Sequence, residues 1–363
     1  MTIGIDYRLA NSSMRGMARY CREITRCLLE KDTRNRYILY VDRELSHAVK
    51  QTPNVAIKRI KTGNFILGEQ IFLALQSYKD KPDVFWSPYN TFPLLLRRKT
   101  KLAVTVHDLI FWNRLTGKSS IAQKIGRIYR KYCLLLGKRK VKYCFTVSEY
   151  SKLEIEKKLS LQNVTVAVNC IDKAFRAKAI AYRQTPLPAD KPAAPPFYFT
   201  LSGDTPSKNL LFVISYFKKF LPATDLYIAG VPDHSYLRSH ASEHIVILKN
   251  NLRDEEIIDY YSRCRAFLFL SLQEGFGKPV IEALFCNANV IASNCTSIPE
   301  VAGGCALLID PQSEKQLTQA LKDIEAFPVD QNLRKCHLEK HLQWEAVAQI
   351  MHDTFTTKNS HNI

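Results

Sequence analysis

Short runs of β-branched and aromatic residues alternate with helix-period patterns along the whole chain, and this alternation limits the folds open to it. In the first half the extended runs are "TIGID", "RYILYV", "DVFWSP", "KLAVTVHD", "KYCFTVS" and "VTVAVN", with helical patterns over 17–30, 66–78, 121–136 and 149–159. Ser148 stands where the last of these needs an N-cap. In the second half the runs are "FYFTLSG", "DLYIAG", "HIVILKN", "RAFLFLS", "NVIAS" and "CALLID", with helices over 208–220, 253–264, 279–285 and 313–324. Strands alternating with helices build parallel sheets covered on both faces, so each half is expected to be a doubly wound α/β domain. Between them "YRQTPLPADKPAAPP", residues 182–196, holds five of the sixteen prolines and reads as a semi-extended linker. The expected domains are therefore 1–181 and 197–342, with ligands bound in a cleft beyond the carboxyl ends of the strands. A last helical pattern, 344–355, has no strand after it and must pack elsewhere; "TTKNSHNI" reads as a frayed tail.

Composition fits a soluble globular protein large enough for two cores: 363 residues, 46% apolar and 24% charged. No apolar run reaches the roughly 18–20 residues of a spanning helix, and "MTIGIDYRL" lacks a signal-peptide pattern. The ten cysteines form no CxxC pair and no cluster with histidine at zinc spacing. Cys144, Cys264 and Cys286 sit in apolar runs and read as small hydrophobes of a reducing compartment, which points to the cytoplasm. The net charge of +18 is unevenly spread. Residues 1–200 carry 37 Lys and Arg against 15 Asp and Glu, a net of +22, while residues 201–363 carry 15 against 19, a net of −4. An anionic partner for the first half follows (membrane surface, phosphorylated substrate or nucleic acid), unless the excess is only a solvated basic face.

The stretch "EGFGKPVIEA" carries the most chemistry. Glu274 emerges at the carboxyl end of "RAFLFLSLQ", Gly275 and Gly277 let a ligand approach the backbone, and Pro279 suits the start of a helix. Free amides and a partial positive charge at that helix N-terminus suit phosphate. Glu282, one turn inside, can accept from two neighbouring hydroxyls of a ribose, and Glu274 can grip a hydroxyl-rich group on the other side. The plainer reading is that both acids merely favour a helix N-terminus, at about 0.3–1 kcal/mol each. Two more loop-to-helix starts join the same rim: "SGDTPSKNL", with Gly203 at the turn and Lys208 opening a helix, and "NCTSIPEVAGG", with Pro299 and Glu300.

Taken together, "SLQEGFGKPVIEALFCNANVIASNCTSIPEVAGGCALLIDP" resembles the donor site of the retaining glycosyltransferases of family 4, with their E-x7-E motif. The resemblance extends over nearly the whole chain: "IGIDYRL" and "RGMARYCREI" at the N-terminus, "TVHDL", "FTVSEYSKLEI", "PSKNL", and "QWEAVAQIM" in a terminal helix. It implies a GT-B fold, two Rossmann-like domains facing a central cleft, with a helix over 343–357 crossing back to complete the first. Within the family the chain resembles bacterial mannosyltransferases of surface polysaccharide assembly.

The resemblance implies roles for particular residues. Glu274 would contact the transferred sugar with the amides of Phe276 and Gly277 nearby, Glu282 the ribose, and Lys208 the diphosphate. Asn251 and Leu252 would flank the base, Gly16 would approach the diphosphate, and His107 would face the reacting sugar. His107 also has an ordinary reading, as a hydrogen-bonded structural residue closing a buried strand. Where the family often has Arg before the lysine this chain has Ser207, so Arg15 is the candidate second cation; Lys278 replaces a commonly apolar residue. Departure of a nucleotide diphosphate needs charge stabilisation from amides, Lys208 and the helix dipole, and no Asp-x-Asp stands beside the motif, so no metal or other cofactor is expected. The nucleotide-sugar is a co-substrate, with GDP-mannose expected first and UDP-sugars next. The acceptor would be a glycan or a lipid-diphosphate-linked saccharide.

Between Asp108 and Glu149 stand ten Lys and Arg and no acid. There Ile121, Ile125, Ile128, Tyr132 and Leu135 keep an apolar stripe, while Lys124, Arg127, Lys131 and Lys138 point elsewhere. The segment 121–142 could rest on anionic lipid at the inner membrane face, or put one face into the core and the other into water. A nucleic-acid-binding protein is the main non-enzyme alternative; it lacks a recognition helix or aromatic RNA-binding motif and leaves the two glutamates unexplained. An inactive nucleotide-sugar binder, degenerate at Ser207, is another. An epimerase or phosphorylase on the same fold has no support in the motifs.

Overall fold

The computed structural model describes residues 1–11, 15–45, 47–50, 52–60, 63–112, 121–185, 196–327 and 329–357. They fall into two compact units, one comprising the chain up to Cys170 with the segment from Gln343 onwards, the other spanning Ile171–Leu342.

The first unit is a sheet of strands β1 (Thr2–Asp6), β2 (Arg36–Val41), β3 (Val55–Arg59), β4 (Val84–Ser87), β5 (Lys101–Thr105), β6 (Val141–Thr146) and β7 (Val164–Val166). All pairs are parallel, in the order β3-β2-β1-β4-β5-β6-β7, so the winding direction reverses between β1 and β4. Strand β3, "VAIKR", was not among the expected ones: it is a half-exposed edge whose charges interrupt the apolar run. The terminal helix Trp344–Thr356 packs on the helix Arg15–Lys31. Trp344 meets Tyr20 edge-on at 5.8 Å and Phe355 meets Phe145 at 5.8 Å.

The second unit holds β8 (Phe197–Leu201), β9 (Asp225–Ala229), β10 (Ile245–Ile247), β11 (Ala266–Phe269), β12 (Val290–Ser293) and β13 (Leu307–Ile309). Again every pair is parallel, in the order β10-β9-β8-β11-β12-β13, reversing between β8 and β11. Its core joins Val213 and Phe217 of the helix Leu210–Phe220 to Leu226, Ile228 and Leu268 of the strands. Each fully buried side chain of this kind contributes about 1.5–3 kcal/mol.

Two boundaries differ from expectation. The first unit ends at Cys170 rather than 181, because an unanticipated helix, Lys173–Gln184, packs on Asp254–Arg263 of the second. There Tyr182 donates to Asp259 at 2.7 Å and Lys178 pairs with Glu255 at 3.0 Å. Residues 182–184 of the expected linker are thus helical, and 186–195 lie outside the described residues. Lys208 does not open the following helix either: it closes a 3-10 turn, Pro206–Lys208, and Asn209 at φ 58° separates that turn from Leu210–Phe220.

The helix Ile121–Gly137 keeps its expected extent but not an apolar stripe in the core. Ile125, Ile128 and Tyr132 are 54%, 53% and 56% exposed, and the buried side is Cys133 and Leu134. Gly137 sets that orientation, since a Cβ there would stand 2.2 Å from the ring of Phe92. The side chain of Ile121 lies outside the described part. All ten cysteines are free, and burial pushes the Cys144 and Cys264 thiols up to about 12. Among the described residues no helix is long and apolar enough to cross a membrane.

A buried ionic network braces the reversal point of the first sheet. Arg8 forks onto Asp6 with two 2.8 Å bonds, reaches the Phe65 carbonyl at 3.0 Å, and lies 3.4 Å from Glu69. Glu69 is carried inward by a π-helical turn, Gly68–Leu73, and accepts from Thr91 at 2.8 Å and from the Tyr129 hydroxyl. Two carboxylates against one guanidinium leave an excess negative charge out of water, and burial first, Asp6 second, raise the Glu69 carboxyl from 4.5 to about 7. A carboxyl raised in the fold costs nothing below its unfolded value and progressively more as pH climbs from about 4.5 to 7. Glu69→Gln should therefore gain on the wild type as pH rises from 5 to 8, at about 2–4 °C in melting midpoint per kcal/mol. A difference between the two proteins that does not change with pH would show that Glu69 is ionised throughout.

Candidate active site

The second unit's site begins where its winding reverses. Loops leaving the carboxyl ends of β8 and β11 diverge there, the place where open α/β sheets bind ligands. The loops are tied together: the Leu272 amide donates to the Ser207 carbonyl at 2.7 Å. Ser207 is itself buried, its hydroxyl 3.0 Å from that of Thr205. It replaces a charge with a brace. From the β12 side, the Ser297 hydroxyl lies 3.2 Å and 3.0 Å from the carbonyls of Glu274 and Phe276, and Thr296 accepts from the Glu274 amide at 3.3 Å. The amides of Phe276 and Gly277 have no acceptor among the described residues.

Gly277 caps the helix Lys278–Phe285 at φ 95° and ψ 46°. Pro279 takes the second helical position, where no amide is needed. Glu282 projects from the next turn and is 9% exposed. Lys278, unexplained by the sequence, pairs at 2.9 Å with Asp172 at the start of the helix Lys173–Gln184 and stands 3.8 Å from Glu282. Lys208 bonds Glu274 at 2.6 Å. Close by in the chain, the side-chain oxygens of Ser202, Ser271 and Gln273 are buried without a partner among the described residues. Buried polar atoms are rarely left so unless something else meets them. Asn251 and Leu252 follow β10: Asn251 is exposed at φ 61° and Leu252 is buried.

Residues 196–326 match the family model described as glycosyl transferases group 1. The chain carries a glycosyl transferase group 1 domain. It is 25% identical over 304 residues to the O-antigen chain mannosyltransferase RfbU of Salmonella typhimurium, covering 78% of each chain. It is 34% identical over 115 residues to the serotype-specific mannosyltransferase WbdA of Escherichia coli, 31% of this chain and 14% of that one. Among solved structures, sucrose-phosphate synthase from Thermosynechococcus elongatus superposes with a TM-score of 0.71 over 98% of both chains at 17% identity. The fold is GT-B, and the protein is a glycosyltransferase.

In the glycosyltransferase's first unit, Gly16 and His107 lie near the reversal of the other sheet. His107 follows β5 and is buried, its amide held by Asn90 Oδ1 at 2.7 Å and its ring edge-on to Tyr20 at 5.0 Å. Nε2 stands 2.9 Å from the Pro88 carbonyl, which can only accept, so Nε2 carries the proton. Burial lowers the imidazole to about 4 and keeps it neutral at pH 7. Gly16 lies in the first turn of Arg15–Lys31, one helical turn before Tyr20, and a Cβ there would meet nothing within 4 Å. The side chain of Arg15 lies outside the described part. The sequence reading missed Ser202, Ser271, Gln273, Thr296 and Ser297; all follow β8, β11 or β12, so position at a strand's carboxyl end was the available signal.

Gly277 gives a direct test of this geometry. A Cβ there would lie 2.4 Å from Ile298 Cδ1 in a backbone conformation that side chains rarely adopt. Gly277→Ala should cost about 2 kcal/mol, roughly 4–8 °C in melting midpoint. Ile298→Val removes the clashing Cδ1, so the same change should cost less in that background. Equal losses in both would refute the contact.

Proposed function

We propose that the chain transfers a hexosyl group, with mannose from GDP-mannose as the first choice, to a saccharide acceptor in polysaccharide or O-antigen-type assembly, with retention of configuration and without a metal. The observation that carries the reading is the set Lys208, Glu274, Gly277 and Glu282 gathered about one helix N-terminus at the β8–β11 reversal. The names of RfbU and WbdA support mannose.

The diphosphate takes the amides of Phe276 and Gly277 and the N-terminal end of Lys278–Phe285, where aligned peptide dipoles favour negative charge. Lys208 leaves Glu274 for the phosphates, and Glu274, released, accepts from hydroxyls of the transferred sugar. Glu282 accepts from the ribose. The C1–O bond breaks with its electron pair on the phosphate, the acceptor oxygen bonds to C1 on the same face, and the acceptor's proton passes to the departing phosphate. Fixed donors aimed at that growing charge supply most of the stabilisation. The family resemblance assigns Gly16 and Arg15 of the first unit to the phosphates and neutral His107 to the sugar, His107 acting by hydrogen bonding. Asn251 and Leu252 serve the base.

We further propose that the first unit rests on the anionic inner face of the cytoplasmic membrane, where a lipid-diphosphate-linked acceptor is met. Two helices joined through Tyr129, Glu69 and Gln70 support this, because both turn apolar stripes outward: Ile125, Ile128 and Tyr132 on one, Leu67, Ile71 and Leu75 on the other. An exposed apolar area flanked by cations fits lipid better than nucleic acid. Sedimentation with anionic vesicles at low salt is expected, and neutralising Lys124, Arg127 and Lys131 together should abolish it.

Thermal shift with GDP, UDP and ADP tests the donor site. A nucleotide at 100 times its Kd adds about 2.7 kcal/mol, roughly 5–10 °C. Glu282→Ala should lose most of the shift, whereas Glu274→Ala should keep it and transfer at least 100-fold more slowly; EDTA should change neither. Wild-type behaviour of both variants would sink the assignment.

A further inference from the structure

The first unit contains a cavity of about 420 Å³ beside the reversal between β1 and β4. Leu9, Met17, Phe65, Ile66 and Ile125 supply apolar walls. Tyr89, Asn90, Thr91, Tyr129 and Arg130 supply the polar groups, and the Tyr89 hydroxyl is buried without a partner among the described residues. Asn90, Tyr129 and Arg130 are each held in place. Asn90 is bonded to the His107 amide at 2.7 Å, so the cavity reaches the loop beside that histidine. Tyr129 is fixed by Glu69 and by Gln70, the latter at 2.6 Å. Arg130 is pinned by the Gly126 carbonyl at 3.1 Å and by the ring of Phe111 at 5.6 Å.

Among the described residues no carboxylate pairs with Arg130. A preorganised guanidinium without a counter-ion, in a largely apolar cavity of ligand size, fits an anion attached to hydrocarbon. Phosphate is the anion such a planar fork recognises best. The outer wall leads to hydrocarbon as well: Ile125 lines the cavity and also begins the exposed run continued by Ile128 and Tyr132.

We infer that this cavity is the binding track of a phosphate-bearing lipid, its phosphate at Arg130, its polar head toward Asn90 and its hydrocarbon leaving along Ile125 and Ile128. The inference rests on the proposed transfer only in making this lipid the acceptor; binding itself is independent of it. The same chemistry could come from a bilayer phospholipid, so binding must be measured without a bilayer.

Octyl phosphate below its micelle concentration is the probe, titrated calorimetrically against the full chain. Saturable binding is expected, with octanol and inorganic phosphate each at least tenfold weaker. Arg130→Gln should weaken octyl phosphate at least tenfold. Gly126→Leu should abolish its binding, because it fills the cavity from a helical position where leucine is the better helix former, and its far-ultraviolet spectrum should be unchanged. Non-saturating uptake, or equal affinity in both variants, would overturn the inference. Both variants should keep the nucleotide shift of the wild type. A wild type that binds octyl phosphate but no nucleotide would defeat the proposed transfer and leave the cavity assignment standing. Both variants should also sediment with anionic vesicles as the wild type does; loss of sedimentation together with octyl phosphate binding would mean that the residues serve the bilayer surface instead.

Discussion

A parallel strand buried on both faces can offer a polar group to a ligand only where it ends. Strand β11 shows the constraint at its tightest, since all four residues from Ala266 to Phe269 are buried and the first groups able to meet a ligand belong to the loop that follows. The same holds for β4, buried from Val84 to Ser87, whose loop carries Asn90. At a reversal of winding, adjacent loops turn away from each other and leave a crevice, so groups from neighbouring strands converge without disturbing the ladder. The ties between Leu272 and Ser207, and between Ser297 and the carbonyls of Glu274 and Phe276, then bind the neighbouring loops to one another.

Much of this was legible in the sequence, for a physical reason. Strands covered on both faces must be continuous apolar runs, and twelve of the thirteen among the described residues announced themselves that way. Strand β3 did not, because an edge exposed to water tolerates Lys58 and Arg59. The helix Lys173–Gln184 was hidden by its neighbourhood: prolines mark where a helix cannot continue, but not which unit the preceding helix packs against. That choice is tertiary, made by Tyr182 and Lys178. Asn209 misled differently, since asparagine is among the few side chains that enter the left-handed region, and nothing local distinguishes it from a helical one. Periodicity also identified the residues sharing a face on Ile121–Gly137 without revealing which face is covered; the fit of Gly137 against Phe92 decides that.

The departures from the family pattern become intelligible once neighbours are known. Lys278 would be a poor exchange for an apolar side chain if its charge were buried alone, at a cost of several kcal/mol. Its 2.9 Å bond to Asp172 removes that objection and ties the E-x7-E helix to Lys173–Gln184. Ser207, in turn, is not an eroded arginine: buried, with its carbonyl engaged by Leu272, it holds the two loops at a fixed separation. An arginine there would have to keep the same backbone bond while carrying its charge out of the protein.

Two glycines differ in what the fold itself requires of them. Gly277 is explained internally, since its φ of 95° and the nearness of Ile298 exclude a side chain whatever the function. Gly16 has neither reason. It is helical, a Cβ there would meet nothing within 4 Å, and glycine in a helix is worth about 1 kcal/mol less than alanine. The position nearest a helix start at the β1–β4 reversal thus carries a residue that costs stability and relieves no contact within the unit. In the proposed reading, a phosphate drawn to the first turn of Arg15–Lys31 uses the open space that glycine leaves clear.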